Sequence, residues 1–475
     1  MSERPVQMRP LVVDLDGTFI RSDLLMECFW RGMGVAPVRT VLTSVRLITR
    51  RAALKQALAE IAAPDIERLP LDPDVGKAID AARAESRPVW LVSGSTDVLV
   101  QRVAREHGPF AFAAGSDSER NLTSTRKADY LREQTAELDG YDYIGDSAAD
   151  IAVWHEARTC YAAGAEPGFL KKLSARGIAA EPVGGPWKRR ALLQAMRPHQ
   201  WLKNLLLLLP LVAAHRFDAA ALIPVLLGIV AFSALASSIY IVNDLTDLDA
   251  DRQHEKKQFR PFASGAVPIR TGMLASLLLG LFGLALGAMI GFWMFVVLVI
   301  YLVCTLSYSM HLKRVRWVDV AMLAALYTLR VVAGAVAAGV VASGWLFGFI
   351  FPVFLSLGCV KRLTELSRAT TTGFLPGRRY RVEDRDDLLN VGILAAHGAV
   401  AVFVAYSFSE TAAVLYDSQV TLWAVAALVA LWLTRMLYTG WTGQQDYDPI
   451  IFAITDKIGV SLVALSIALL ALVAV

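Results

Sequence analysis

The chain changes its hydrophobic rhythm near residue 195. Before that point, short apolar runs alternate with longer mixed stretches. Leu11-Val12-Val13, Pro88-Val89-Trp90-Leu91-Val92 and Tyr141-Asp142-Tyr143-Ile144 each read as a buried strand. Strands that alternate with helices predict an α/β Rossmannoid domain with a parallel sheet, whose sites form at the carboxyl ends of the strands. Beyond residue 195 the apolar runs become long enough to span a bilayer. About nine such runs fall near 202–215, 220–242, 271–289, 292–309, 318–341, 344–360, 389–408, 419–438 and 457–475. The pattern therefore predicts a soluble domain over 1–183, a basic linker over 184–196 containing Trp187-Lys188-Arg189-Arg190, and an all-α polytopic membrane domain over 197–475.

Composition supports this division. The 475 residues are 55% hydrophobic, with a mean hydropathy of +0.46. A net charge of +4 gives no reason to expect nucleic acid as a partner. The cations gather instead in particular loops. Arg252, Lys256, Lys257, Arg260 and Arg270 follow the second apolar run. Lys313, Arg314 and Arg316 follow the fourth, and Lys361, Arg362, Arg368, Arg378, Arg379, Arg381 and Arg385 follow the sixth. Loops after the odd-numbered runs hold only Arg216. The positive-inside rule then puts the basic loops on the cytoplasmic face of the inner (plasma) membrane. Met1 to Pro10 is polar and Leu11-Val12-Val13 is too short for a signal core, so the soluble part is expected on that face too. Cys28, Cys160, Cys304 and Cys359 are scattered and indicate neither a zinc site nor a disulfide framework.

Between two apolar runs lies Asn243-Asp244-Leu245-Thr246-Asp247-Leu248-Asp249-Ala250-Asp251. So much negative charge beside a bilayer is costly unless a cation neutralises it. A divalent metal held by oxygen ligands does so, and commonly serves a phosphate. On a helix Asp244, Asp247 and Asp251 fall along one stripe. The plainer alternative is a solvated acidic loop, but Lys257 and Arg260-Pro261 follow closely, as a phosphate site would require.

In the first domain, Asp14-x-Asp16-Gly-Thr follows a strand and resembles the nucleophile motif of the haloacid dehalogenase (HAD) superfamily. Ser93, Lys127 and Gly145-Asp146-Ser147-Ala148-Ala149-Asp150 match the later motifs in order. The resemblance implies that Asp14 attacks phosphorus, while Asp16 protonates the leaving oxygen and then activates water. Ser93 and Lys127 would hold the phosphate. Asp14 and Asp146 would lead an Mg2+ site that Asp16 and Asp150 complete. Residues between about 20 and 80 would form a small helical cap that governs substrate choice. A degenerate module that only scaffolds is the alternative, although every catalytic position is present.

The segment Asn243-Asp244-x-x-Asp247-x-x-x-Asp251 resembles the first acidic motif of the UbiA superfamily of intramembrane prenyltransferases, which implies Mg2+ ions on Asp244, Asp247 and Asp251 bridging a diphosphate. Typical members carry a second site with two aspartates four apart. The corresponding place here reads Lys361-Arg362-Leu363-Thr364-Glu365-Leu366-Ser367-Arg368-Ala369, with Glu365 as its one acid. One acidic and one mostly basic cluster suggest different ligands, a metal-bound diphosphate and a directly held phosphate. This departure resembles the decaprenyl-phosphate phosphoribosyltransferase branch. That branch implies phosphoribosyl diphosphate as donor and a polyprenyl phosphate lipid as acceptor. Arg197-Pro198-His199-Gln200-Trp201-Leu202-Lys203-Asn204, Tyr308-Ser309-Met310-His311-Leu312-Lys313, Asp319 and Arg330 extend the resemblance.

Candidate substrate contacts are thus Asn243, Lys203, Lys257, Arg260, Lys313, Arg330, Lys361, Arg362 and Glu365. An Arg in mid-span is costly and points to function, or to a structural pair with a buried acid or backbone carbonyls. Lys203 and Lys313 read equally well as snorkelling helix-end lysines. Asp446-Tyr447-Asp448-Pro449 and Asp456-Lys457 read as helix-end features. Together the motifs predict a bifunctional enzyme that makes and then dephosphorylates a phosphoribosyl lipid. The competing expectation is a prenyltransferase that uses a prenyl diphosphate and an aromatic acceptor. Oligomeric state is not legible in the chain.

Overall fold

The structure, a computed structural model, describes residues 8–117, 121–368, 374–375, 378–445 and 448–474. Ala369, Asp446 and Tyr447 of the segments above lie outside the described residues. The chain divides into two compact units, Met1–Met196 with Tyr240–Ser276, and Arg197–Ile239 with Leu277–Val475. The acidic segment thus belongs to the same unit as the α/β part.

The first unit carries six parallel strands: β1 (Leu11–Val13), β2 (Val89–Thr96), β3 (Phe112–Ser116), β4 (Asp142–Gly145), β5 (Cys160–Ala163) and β6 (Ala180–Val183), in the order β3-β2-β1-β4-β5-β6. Val12 pairs with Trp90 on one side and Tyr143 on the other. Alternation along β1 sends Leu11 and Val13 into one core with Leu91 and Ile144. Val12 enters a second core with Val92, Tyr143 and Trp154. Both faces of the sheet are therefore covered, as a parallel sheet requires.

The expected cap is present as three helices: α1 (Leu24–Val35), α2 (Pro37–Leu47) and α3 (Arg51–Ile61). Asp23 caps α1 by accepting from the Met26 amide, and Pro37 occupies the favoured first turn of α2.

Among the described residues, seven helices are long and apolar enough to cross a membrane. They become eight if Pro449–Thr455 and Lys457–Leu472, bent by 78°, form one crossing. The segment expected at 202–215 is instead an eleven-residue 3-10 helix, Pro198–Leu208, followed by a five-residue α-helix, Leu209–Ala213. At about 2.0 and 1.5 Å rise per residue, the two reach roughly 30 Å, one hydrocarbon thickness. The seven to eight crossings among the described residues stand close to the expected count of about nine.

In the second unit Val320, Ala324, Tyr327, Val331, Phe354, Leu357, Leu363, Leu388 and Leu433 pack into one core. Gly334 admits the tight 3-10 segment, because a Cβ there would stand 2.0 Å from the Leu207 carbonyl oxygen.

Candidate active sites

The phosphatase-type constellation converges at the carboxyl ends of β1, β2 and β4. Asp14 leaves β1 with its amide bonded to the Ile144 carbonyl at 3.0 Å. Its Oδ1 accepts the Leu15 amide at 2.8 Å and lies 2.9 Å from Lys127 Nζ. Lys127 is buried, stands 3.6 Å from Asp150 Oδ1 and donates to Tyr143 Oη at 2.9 Å. Tyr143 in turn donates to Asp150 at 2.6 Å. Burial opposes the Lys127 charge, but Asp14 and Asp150 more than offset it and raise its affinity for the proton.

Among the described residues, one trio of carboxylates brings its oxygens within 4.8 Å of one another: Asp14, Asp146 and Asp150. Burial first, then Asp150 and Asp14, push Asp146 well above the usual carboxylate range. A hard cation relieves that crowding, and three carboxylate oxygens are the donors Mg2+ accepts. Gly17 sits at φ +76°, where a Cβ would stand 2.3 Å from Asp146 Oδ2, so the backbone just after Asp16 can approach Asp146 this closely only with glycine there.

Asp16 is aimed differently. Its Oδ1 accepts the Leu24 amide at 2.8 Å, tying the start of α1 to the loop, and its Oδ2 accepts from Ser95 at 2.5 Å and Ser93 at 3.4 Å. Burial first, then Asp23, raise it to about 7. It therefore holds a proton near neutrality, as a general acid must.

Three residues of this site were not singled out from sequence. Ser95 lies two residues beyond Ser93, and strand alternation on β4 could have placed Tyr143. Lys55 of α3, bonded to the Gly94 carbonyl, carries no local signal.

The acidic segment continues the helix Ala219–Thr246 through one turn residue, Asp247, into the helix Leu248–Gln253. Asp251 N bonds Asp247 O at 2.8 Å, so the expected stripe is largely kept. Asp244 and Asp251 are buried, and Arg260 Nη1 bridges them at 3.1 and 2.7 Å. Burial raises Asp251 to about 6 despite Arg260. Asp247 and Asn243 are half-buried, and Lys257 is exposed on its own 3-10 turn. The three aspartates offer oxygen donors, but their carboxylates do not gather within 4.8 Å as those of Asp14, Asp146 and Asp150 do, and Arg260 is the counter-ion of two of them. The cap closes on this segment: Arg252 meets Glu27 in a buried pair, Arg31 bonds Asp249, and Arg270 bonds Asp23 at 2.7 Å.

In the second unit Lys203 is buried, pairs with Asp448 and lies over the Tyr327 ring. Burial works against the Asp448 charge, yet Lys203 and Lys361 hold its carboxyl below the usual range. Arg362 is fully buried and bonded to Asp319, to Glu365 at 2.5 Å and to Tyr308 at 3.0 Å. Arg378 also reaches Asp319, at 2.9 Å. Arg362 therefore faces protein acids rather than open space. Arg330 donates to Asn204 at 3.0 Å, to the Leu326 carbonyl at 2.8 Å and to Tyr301 at 3.0 Å. Lys313 sits on the turn Leu312–Arg314, with His199 and His311 exposed.

These features define a polytopic membrane protein that joins a transferase-type helical domain to a phosphatase-type α/β domain. The UbiA prenyltransferase family model matches residues 205–458, and the haloacid dehalogenase-like hydrolase model matches 11–155. The chain belongs to the UbiA prenyltransferase family, with a HAD-like domain at its N-terminal end.

It is 34% identical to the uncharacterized protein y4nM of Sinorhizobium fredii, across 94% of this chain and 88% of that one. It is 31% identical to the decaprenyl-phosphate phosphoribosyltransferase of Mycolicibacterium smegmatis, across 54% of this chain and 85% of that one. A UbiA homolog from Archaeoglobus fulgidus bound to GPP and Mg2+ superposes with a TM-score of 0.46 at 16% identity, covering 59% of this chain and 99% of that one.

Proposed function

We propose that the chain is a bifunctional membrane enzyme. Its UbiA domain would transfer phosphoribose from phosphoribosyl diphosphate to a polyprenyl (decaprenyl) phosphate. Its HAD domain would then remove the sugar phosphate. In the first reaction a lipid phosphate oxygen attacks ribose C1, the C1–oxygen bond to diphosphate breaks, and diphosphate leaves. Asp244, Asp247 and Asp251 would hold Mg2+, which would supply charge neutralisation for the diphosphate, with Lys257 and Arg260 alongside. Lys203 and Lys361 take the lipid phosphate. Arg362 serves as a positioning residue, fixing Glu365 and Asp319.

In the second reaction Asp14 attacks the sugar phosphate, and Asp16 gives its proton to the departing sugar oxygen. Water, deprotonated by Asp16, then releases phosphate from Asp14. Lys127 and Ser93 steady the phosphoryl oxygens, and Asp14, Asp146 and Asp150 would hold Mg2+, which would supply screening between nucleophile and phosphate. Both sites are assigned to the cytoplasmic face of the inner membrane.

The observation that carries this reading is the lopsided pair of clusters: carboxylates at 244–251, but Lys203 and Lys361 beside Asp448 in the membrane unit. The 31% identity to a decaprenyl-phosphate phosphoribosyltransferase supports it. The test incubates membranes containing the protein with labelled phosphoribosyl diphosphate and polyprenyl phosphate; absence of labelled lipid would overturn the reading.

A second reading, transfer of a prenyl chain from its diphosphate to an aromatic acceptor, is favoured by the family's general prenyltransferase character. Consumption of labelled prenyl diphosphate with an aromatic acid would establish it instead.

A further inference from the structure

Helix α2 of the cap buries almost nothing of itself. Its one buried residue is Thr40, whose side chain stands where a Cβ on Gly32 would meet it at 2.6 Å. Thr40 thus marks the face that packs on α1. At 100° per residue, Val38, Leu42 and Val45 fall opposite Thr40, with Val41 and the following Ile48 along one edge of the same arc. Val38, Leu42, Val45 and Ile48 are 65–71% exposed, and Val35 just before the helix is 70% exposed. A contiguous apolar arc of this kind on a water-soluble surface marks a contact with something apolar.

Two further observations identify the occupant. First, α1 ends against a membrane-spanning helix. A Cβ on Gly34 would lie 3.5 Å from the carbonyl oxygen of Thr246, the last residue of Ala219–Thr246. Pro37, three residues later, begins α2. The arc therefore starts beside the last residue of a helix long and apolar enough to cross a bilayer. Second, the arc is bordered by cations. Arg39, Arg46, Arg50 and Arg51 are all exposed, and a cleft of about 550 Å³ is lined by Thr43, Arg46, Leu47, Thr49 and Arg50. An apolar stripe edged by arginines and hydroxyls is the chemistry of a helix lying in a lipid interface, with phosphate headgroups at its rim.

We propose that α2 is an interfacial membrane helix. It lays Val38, Val41, Leu42, Val45 and Ile48 among the acyl chains and holds an anionic phospholipid headgroup at Arg46 and Arg50. This keeps the phosphatase cap at the bilayer surface, where a lipid-borne phosphate ester would have to be reached. The proposal stands on the geometry of the cap and does not depend on which reaction the membrane domain performs.

The test uses the full chain in nanodiscs, with Cys304, the one native thiol that is not buried, replaced by serine. Nitroxide labels are placed singly at Leu42→Cys, Val45→Cys and Ile48→Cys, and at exposed Lys171→Cys as a water reference. Collision with oxygen is compared with collision with a water-soluble nickel chelate. The oxygen-to-nickel ratio should be several-fold higher at the three α2 positions than at 171. It should drop towards the value at 171 when the disc lacks anionic lipid.

Leu42→Glu with Val45→Glu should bring the ratio at Ile48→Cys down to the reference. Because both side chains point outward, the fold should be retained. In Arg46→Gln with Arg50→Gln the ratio should no longer respond to anionic lipid. Equal ratios at all four positions would mean that α2 lies in water. Exclusion of both reagents would mean that protein, such as a second copy, covers the arc. Indifference of the unsubstituted α2 to anionic lipid would remove the headgroup contact. Each of these results overturns the proposal.

Discussion

Glu27 and Arg252, 225 residues apart in the chain, form a buried two-point ion pair, with Nη1 3.0 Å from Oε2 and Nη2 2.6 Å from Oε1. Ser22 also bonds Glu27, and the Ala263 carbonyl accepts from Arg252 Nε at 3.1 Å. The first cap helix of the phosphatase fold is thereby fixed to the segment that carries Asp244, Asp247 and Asp251. Because Asp16 holds the amide at the start of the same helix, one helix is tied to Asp16 at its start and, through Arg252 and Asp249, to the segment that carries the other aspartates.

Removing one partner of a buried pair leaves the other charge uncompensated, at a cost of roughly 3–5 kcal/mol. Glu27→Ala or Arg252→Ala should lower the thermal midpoint of the full chain in detergent markedly. Arg270→Ala, which breaks a pair whose arginine is 72% exposed, should change stability by less than about 1 kcal/mol. Equal shifts for buried and exposed pairs would contradict the assignment of Glu27–Arg252 as the anchor.

Asp16 should set the alkaline limb of the phosphatase reaction. Its raised affinity for the proton, centred at about 7, means that the acid form needed by the leaving oxygen declines as pH rises through that value. Steady-state hydrolysis of a soluble phosphate ester should therefore fall about tenfold per pH unit well above 7. The limb should vanish in Asp16→Asn, with low residual activity throughout. A wild-type profile flat from pH 6 to 9 would remove Asp16 from the acid role.

Arg260 holds Asp244 and Asp251 together, so its loss should be felt as a metal effect. In Arg260→Met two buried carboxylates lose their shared counter-ion and their fixed orientation. Supporting residues of this kind commonly alter metal affinity or activity 10–100-fold. The Mg2+ concentration for half-maximal transfer should move by at least about tenfold. Phosphatase activity on a soluble ester should not follow it, since Asp14, Asp146 and Asp150 form a separate cluster. Parallel shifts in both activities would show one common metal site instead of two.

Lys55 reaches from the cap to the Gly94 carbonyl, and burial lowers its affinity for the proton against the pull of Asp16, Asp23 and Asp14. A hydrogen bond to a charged group contributes about 1.5–3 kcal/mol. Lys55→Met should accordingly reduce phosphatase kcat/KM by roughly ten- to a hundredfold, while Lys77→Met, exposed on another helix, should have no effect. Matching losses in the two variants would count against a role for the cap lysine.

The candidate site of the α/β domain was legible because its motifs are local. Asp14, Asp16, Ser93, Asp146 and Asp150 each sit within a few residues of a strand end, and strand ends show as apolar runs that stop. Lys127 needed the family pattern to be recognised. Relations between distant segments were not legible. Nothing near Arg252 announces Glu27, and nothing near Arg362 announces that Asp319, 43 residues away, occupies its guanidinium. The run 202–215 read as an ordinary apolar span because hydropathy does not register helix type. Pro198 and Pro210, buried Lys203 and Asn204, and the close approach at Gly334 accompany a 3-10 path there. The exposed arc of α2 was readable as an amphipathic period, but which side faced the protein required the contact between Thr40 and Gly32.

The central claim, two successive reactions in one chain, is tested most directly by product analysis of membranes carrying wild type or Asp14→Asn. Both are supplied with labelled phosphoribosyl diphosphate and polyprenyl phosphate. Wild type should yield a labelled lipid that bears ribose without its terminal phosphate. Asp14→Asn should accumulate the phosphorylated lipid-sugar at an undiminished rate of transfer. Identical products from the two proteins would contradict the account.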